Sequence, residues 1–88
     1  MMKFIKSPVK YKKYRVISPL GKIIDFGDNR YQHYKDQTNL KLYSKLDHLD
    51  NERRIKYRAR ASKIKNKNNQ LTYNNPEYAN YYSYNYLW

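Results

Sequence analysis

The sequence contains no cysteine and little acid, glycine or proline. Its 88 residues include only 7 Asp and Glu, 2 Gly and 3 Pro. Without cysteine there is no disulfide framework and no thiolate zinc site. No apolar run approaches the ~20 residues that a membrane-spanning helix needs, and the first residues lack the apolar core of a signal peptide. We therefore expect a soluble intracellular or particle-bound protein without a membrane span.

Positive charge and tyrosine dominate what the sequence does contain. Lys and Arg number 19, giving a formal net charge of +12, and there are 12 Tyr, 2 Phe and 1 Trp. A chain of this length holds one domain, and its composition lies near the border with disorder. The aromatic rings favour folding because each can bury a large apolar area. We expect one small core, and a partner that is an anion, a polyanion or an acidic protein surface.

The charges are segregated along the chain. Residues 1–22 hold 7 cations and no acid, residues 23–52 hold 6 acids and 4 cations, and residues 53–67 hold 8 cations and no acid. Residues 73–88 carry one charge, Glu77, among closely spaced tyrosines. The order is a basic arm, an acidic middle, a basic block and an aromatic tail. Such blocks attract one another within a chain or between copies, so a homo-oligomer stays open.

The clearest local pattern is a β-hairpin over about residues 14–26. Two β-prone segments, 14–17 and 22–26, flank a turn in which Pro19 fixes φ and Gly21 follows. The register stays open. Alternation predicts one face with Val16, Ile23 and Asp25 and another with Ile17, Ile24 and Phe26.

Two helices are predicted after the hairpin. Asp50 is a good N-cap with Glu52 in the first turn, and cations accumulate toward the far end, which indicates a basic helix over about 50–64. Asn75 and Pro76 have the pattern of a cap and a first helical position, which predicts a short aromatic C-terminal helix. The fold class predicted is therefore α+β, as a small domain over residues 14–88 preceded by a basic N-terminal arm over 1–13.

Two sets of side chains are candidates for binding. The cations of the basic block and the arm can neutralise phosphates or other anions, although a solvated helix face is the alternative. The candidates chosen among them are Arg53, Arg54, Lys56, Arg58, Arg60, Lys63, Lys65, Lys10, Lys12 and Lys13. The aromatic tail has almost no positive charge, so we interpret it as a docking or core surface and not as a base platform. Its members are Tyr78, Tyr81, Tyr82, Tyr84, Tyr86, Leu87 and Trp88.

Two catalytic interpretations are weaker. Residues 47–50, with His33, contain His and Asp that could ligate a metal or exchange protons, but Asp50 is better explained as a cap. The hairpin turn also resembles superficially the opening of GIY-YIG nucleases. In that comparison Arg30 and Glu52 would have to serve as the catalytic Arg and the metal ligand, and their context is wrong. We expect no enzyme activity, no cofactor and no metal.

A string of motifs covers nearly the whole chain from Tyr14 onward. It runs Tyr14-Arg15-Val16, Ser18-Pro19-Leu20-Gly21-Lys22, Phe26-Gly27, Tyr31…Tyr34, Tyr43…Asp47-His48…Asp50…Arg53-Arg54…Tyr57…Arg60 and Pro76…Tyr78…Tyr82-Ser83-Tyr84…Leu87-Trp88. This string resembles a group of small, basic, largely uncharacterised proteins of nucleocytoplasmic large DNA viruses (iridovirus-, phycodnavirus- and mimivirus-like). The resemblance implies a virus protein associated with the virion, and host cytoplasm or nucleus during assembly.

The leading functional hypothesis is a non-enzymatic minor structural protein of the virion. Its cationic face would meet larger, acidic viral structural proteins, and its aromatic tail would dock by burying rings. The alternative is a nucleic-acid-binding protein for viral genome packaging or late gene expression, with the same cations against phosphate. A GIY-YIG-like nuclease is the remote alternative.

Overall fold

A three-stranded antiparallel sheet forms the N-terminal part of the fold. The structure, a computed structural model, describes residues 3–88. Strands β1 (Phe4–Lys6), β2 (Lys12–Ile17) and β3 (Ile23–Asp28) pair in the order β1-β2-β3. A single 3₁₀ turn, Ser44–Leu46, precedes helices α1 (Asn51–Ala61) and α2 (Ala79–Tyr86). The predicted α+β fold class is confirmed.

The hairpin is confirmed, but the expected alternation of its faces is wrong. Gly21 adopts φ +83° in the turn, and its amide donates to the carbonyl of Ser18. The strands resume pairing at Ile17 opposite Ile23, so Val16 lies opposite Ile24. Directly opposite residues share a face of the sheet. Ile24 and Val16 are therefore buried together, while Ile23 is exposed.

The basic arm expected over 1–13 is part of the sheet and not a separate segment. β1 pairs along β2, with Phe4 opposite Val16, and Phe4 is buried. Its ring contacts those of Phe26 and Tyr86 at centroid distances of 5.7 and 4.7 Å. A strand of three residues is too short for alternation to be recognised, so the sequence alone gave no signal for it. Met1 and Met2 lie outside the described residues.

Helix α1 begins where the sequence predicts and ends earlier. The side chain of Asp50 accepts hydrogen bonds from the amides of Glu52 and Arg53, which satisfies donors that the first turn leaves free. The helix ends at Ala61, three residues before the predicted end. The amide of Ile64 instead donates to the carbonyl of Ala61 in a tighter turn, so the chain leaves the helix there.

The short aromatic helix is present, but Asn75 is not its cap. Asn75 accepts a hydrogen bond from the amide of Glu77, and its carbonyl accepts from that of Tyr78. These bonds close a turn before α2, so the helix begins at Ala79. Tyr78 occupies the N-cap position in an extended conformation without a side-chain cap.

Aromatic rings make most of the core between the sheet and α2. Tyr82 is fully buried, and its ring lies 5.5 Å from Phe26 and 6.3 Å from Phe4. Leu87 is 1% exposed and belongs to the same cluster. The C-terminal end of the chain therefore packs on its own sheet.

Within residues 3–88, no helix is both long and apolar enough to cross a membrane.

Candidate functional site

Three cations of the basic block share one exposed face of α1. Arg53, Lys56 and Arg60 are all exposed, and their spacing of three and four residues brings them to one side of the helix. Lys63 and Lys65 follow the helix and are also exposed. These five cations are the accessible part of the predicted anion-binding set in this region.

Arg54 and Arg58 are half-buried and contact the end of the chain. Arg54 donates from Nε to the main-chain oxygen of Trp88 at 2.7 Å and lies 4.9 Å from the ring of Tyr34. Arg58 donates from Nη1 to the carbonyl of Tyr84 at 3.2 Å and lies 4.0 Å from the centre of its ring. Both arginines thus join α1 to the C-terminal segment, which is a role the sequence did not indicate.

The cations of α1 have no acidic partner among the described residues. The ion pairs within residues 3–88 are Arg15–Asp25, Arg30–Asp28 and His33–Asp47. None of them involves the basic block. Within residues 3–88, therefore, no ion pair neutralises a cation of α1.

Of the three lysines of the arm that were predicted to contact anions, two side chains are exposed and one is buried. Lys10 and Lys12 are exposed, and Lys10 lies 4.9 Å above the ring of Tyr11. Lys13 is only 2% exposed, so its prediction as an anion contact is corrected. It lies beside Gly27, whose missing side chain leaves room for its stem.

Lys13 takes part in a buried polar chain that the sequence did not predict. Its Nζ donates to the carbonyl of Tyr31 at 3.1 Å and to Nδ1 of His33 at 2.8 Å. Because Nδ1 accepts, Nε2 of His33 carries the proton and donates to the carboxylate of Asp47. These hydrogen bonds connect β2 to the loop that follows β3.

The ionisation of this polar chain follows from its burial. Burial lowers the pKa of Lys13 to about 8, against the opposing charges of nearby carboxylates. Burial also lowers the pKa of His33, and the charge of Lys13 adds to this, while the hydrogen bond to Asp47 opposes it. His33 is therefore held as a neutral, oriented imidazole near neutral pH.

Hydrogen bonds within the fold occupy the candidate metal ligands except Nε2 of His48, which is buried without a hydrogen-bond partner in residues 3–88. Asp47 holds His33 and the amide of Asp36, and Asp50 caps α1. His48 accepts the amide of Asp50 on Nδ1, and its ring lies 5.0 Å from that of Trp88. Across residues 3–88, no three His, Asp or Glu side chains group so as to hold a metal ion.

The residues considered for a nuclease also have local roles. Arg30 is bonded to the carboxylate of Asp28 through Nε and Nη2, at 3.0 and 2.8 Å. Glu52 is exposed in the first turn of α1, where its charge suits the positive end of the helix dipole. The structure shows no contact between Arg30 and Glu52.

A cleft lies between the loop after β3 and the exposed face of α1. It consists of two adjoining cavities of about 260 and 300 Å³, which share Tyr31, Gln32, Tyr57 and Trp88 as lining residues. The larger cavity is also lined by Arg53, Lys56 and Arg60. Aromatic rings and unpaired cations therefore meet in one cleft.

The three aromatic rings of the cleft differ in how they are packed. Tyr57 and Trp88 stack with centroids 4.1 Å apart and planes 9° from parallel. Tyr31, in contrast, is 64% exposed, with the guanidinium of Arg30 at 5.7 Å from its ring centre. Tyr31 therefore offers a largely open aromatic face at the rim of the cleft.

The predicted docking set is used inside the molecule. Tyr82 and Leu87 are buried, and the others are half-buried. Those packed against the core are Tyr81, Tyr86 and Trp88. Tyr78 and Tyr84 lie beneath the cations of Lys22 and Arg58. The sequence left the tail open as a docking or a core surface, and the structure shows core packing, because β1 and β3 supply the apolar surface that the tail covers.

Sequence reasoning missed Tyr31, Gln32 and Tyr57 as parts of a site. The spacing of the cations on α1 gave a usable signal for its basic face. Both Tyr31 and Gln32 lie in a loop without periodicity, and the motif string that includes Tyr31 gave it no role. Tyr57 appears in the sequence analysis only within the motif string, without a role of its own.

Comparison with known proteins gives one family. The sequence model of the family of unknown function DUF5754 matches residues 2–45, which is half of the chain, so the chain belongs to that family. The match covers the sheet and the loop that carries Tyr31 and His33, and stops before α1. No curated protein and no solved structure matches the chain.

Proposed function

We propose that this member of the DUF5754 family is a non-enzymatic nucleic-acid-binding protein that holds phosphates on α1. The observation that carries the proposal is the exposed face formed by Arg53, Lys56 and Arg60, which has no acidic partner among residues 3–88. Lys and Arg that neutralise phosphates release counterions, so affinity is insensitive to sequence and falls with salt. The net charge of +12 adds long-range attraction.

The surroundings of this face favour nucleic acid over an acidic protein surface. The same three cations line a cleft with Tyr31, and aromatic rings beside cations are typical of surfaces that bind nucleotides. An acidic protein would use the charges and leave the rings without a planar partner. We therefore rank nucleic acid first.

A second candidate is the minor structural protein of a large DNA virus particle, located in the virion and in host cytoplasm or nucleus during assembly. One observation favours it. The sheet face away from α2 exposes Ile5, Ile17 and Ile23 at 48, 53 and 57%. These isoleucines, which share their sheet face with the Arg15–Asp25 ion pair, could replace the tail as the docking surface, while the basic face meets larger acidic structural proteins. In purified particles, recovery with the shell after removal of the genome supports this role, and recovery with the DNA contradicts it.

The nucleic-acid proposal is tested by the salt dependence of binding to a short DNA duplex, followed by fluorescence anisotropy. The wild-type chain should lose affinity steeply between about 50 and 200 mM salt. Replacing Arg53, Lys56 and Arg60 by serine should flatten the slope of log affinity against log salt by about 2 to 3, because each phosphate contact contributes about 0.9.

The matched control removes the same charge elsewhere. Lys3, Lys35 and Lys45 are exposed and do not line the cleft, so their replacement by serine lowers the net charge equally. We expect a smaller loss of affinity and a nearly unchanged slope. If both triple variants behave alike, binding is not localised to α1, and if the wild-type chain retains no DNA at low salt the proposal is wrong.

A further inference from the structure

We infer that the cleft between Tyr31 and α1 accepts an unstacked nucleobase, so that the preferred ligand is single-stranded nucleic acid. This inference rests on the proposed function and adds a ligand class to it. It depends on three features that meet around one cleft: an exposed aromatic ring, a stacked pair of rings, and three cations that form no ion pair within residues 3–88.

The cleft provides surfaces for a flat ring. Tyr31, which is largely exposed to solvent, and the stacked pair Tyr57 and Trp88 all line it. Stacking on aromatic side chains is the main source of base binding that does not depend on sequence, because every base has a π-face. The cavities, of about 260 and 300 Å³, lie at the small end of the range for ligand pockets. They suit a single ring better than a large ligand.

The lining of the cleft also includes the polar side chain of Gln32. Nη1 of Arg53 donates to Oε1 of Gln32 at 3.1 Å. The amide nitrogen of Gln32 is then left with its two donors for the edge of a base. Gln32 therefore adds a hydrogen-bond donor to the lining of the cleft.

The cations are placed to contact the backbone that continues from such a base. Arg53 and Arg60 are seven residues apart on α1, which is about 10 Å along the helix axis. With Lys56 between them, they form a short row beside the cleft. A strand that inserts one base can thus lay neighbouring phosphates along the row. A duplex keeps its bases stacked and can use only the row.

The test compares two ligands that have the same phosphates and differ in their bases. One is an oligothymidylate of about 20 nucleotides, a length above the site size of most single-strand binders. The other is an abasic oligomer of the same length. We expect the oligothymidylate to bind at least about tenfold tighter, equivalent to about 1.4 kcal/mol. An oligouridylate arm distinguishes RNA from DNA as the source of the base, and a base-dependent preference with either supports the inference.

Substitutions at Tyr31 assign the preference to the cleft. Tyr31→Ala should reduce the ratio of the two affinities to about threefold or less, and leave the affinity for the abasic oligomer unchanged. Tyr31→Phe should restore the ratio, since stacking needs the ring and not the hydroxyl. Tyr73→Ala is the matched control, because Tyr73 packs against Tyr84 and does not line the cleft.

The outcomes separate this inference from the proposed function. Equal binding of the two oligomers, with salt dependence intact, overturns the inference and leaves the phosphate role standing. A base preference that survives Tyr31→Ala also overturns it, because the base then binds elsewhere. Binding of neither oligomer overturns both. The serine variant of Lys56 and Arg60, which keeps the contact of Arg53 with Gln32, should weaken both oligomers while preserving their ratio.

Discussion

Replacing Gly27 with alanine should destabilise the fold more than the same change at Gly21. Both glycines have positive φ, +75° and +83°, in the left-handed region where a Cβ atom is disfavoured. A Cβ at Gly27 would lie 2.9 Å from Cδ1 of Leu87 and 3.0 Å from Cδ of Lys13, whereas a Cβ at Gly21 meets nothing within 4 Å. The two sites therefore share the backbone cost and differ in packing.

The difference can be estimated from these two costs. The left-handed conformation costs a residue with a Cβ about 1–2 kcal/mol. Overpacking a closed site adds about 1–3 kcal/mol, and both neighbours of Gly27 are buried, Lys13 at 2% exposure and Leu87 at 1%. We expect Gly21→Ala to lower the free energy of unfolding by about 1–2 kcal/mol, and Gly27→Ala by about 2–5 kcal/mol.

Urea unfolding and thermal melts followed by circular dichroism measure both changes. For a domain of this size a difference of 1 kcal/mol corresponds to a shift in Tm of roughly 4–8 °C. The double variant Gly27→Ala with Leu87→Ala should be less destabilised than the sum of its parts, because the second change removes the methyl group that the first one meets. Equal destabilisation at Gly27 and Gly21 would refute the packing of Leu87 and Lys13 against this position.

Four further predictions follow from the described contacts. Leu87→Ala should cost about 2–5 kcal/mol of stability in urea unfolding, because it opens a cavity in the core, and a cost below about 1 kcal/mol would contradict the internal packing of the tail. Asp50→Ala should cost about 1 kcal/mol through loss of the α1 cap, and Asp50→Asn should recover most of it in the same assay. Since burial lowers the pKa of Lys13 to about 8 from 10.5, unfolding takes up a proton between these values. The free energy of unfolding should thus rise from pH 8 to about pH 9.5, by at most about 1.4 kcal/mol per unit, and Lys13→Met should remove this rise. A polyanion at about a hundred times its Kd should add about 2.7 kcal/mol to the stability, and this gain should shrink in the serine variant of Arg53, Lys56 and Arg60.

The features that could be predicted from the sequence are those encoded by neighbouring residues. The hairpin turn depends on Pro19 and Gly21, and the start of α1 depends on Asp50 capping amides two and three residues away. Such contacts are local, so a pattern of residue types is enough to indicate them. The register of the hairpin is less local, and there alternation placed Ile23 on the wrong face.

The features that could not be predicted depend on distant contacts. Lys13 is a typical surface residue by type, and its burial follows from His33 and Tyr31, which are far along the chain. The aromatic tail has the composition of an interface, and interfaces and cores use the same residues. Only the presence of Phe4 in β1, a strand with no sequence signal, completes the surface that Tyr82 covers.

The same distribution of contacts explains why the basic face is left free. The few acids of the chain mostly bind groups inside the fold. Their contacts are Asp25 with Arg15 and Ser7, Asp28 with Arg30, Asp36 with Tyr14 and Thr38, Asp47 with His33, Asp50 with the amides of α1, and Glu77 with Ser18. For Asp36, burial works to raise the pKa, but the hydrogen bonds from Thr38 and Tyr14 outweigh it and the pKa is lowered. These hydrogen bonds therefore keep the carboxylate of Asp36 charged in the core.

Little negative charge then remains for the cations of α1. Glu52 is the one acid within the helix, and it lies in the first turn, where it complements the helix dipole. No carboxylate of residues 3–88 forms an ion pair with Arg53, Lys56 or Arg60, so an external anion that binds there lowers the repulsion among them as well as forming favourable contacts. Anion binding therefore stabilises the folded state. A ligand with several phosphates in a row can contact all three cations at once, so it should stabilise the fold more than separate small anions do.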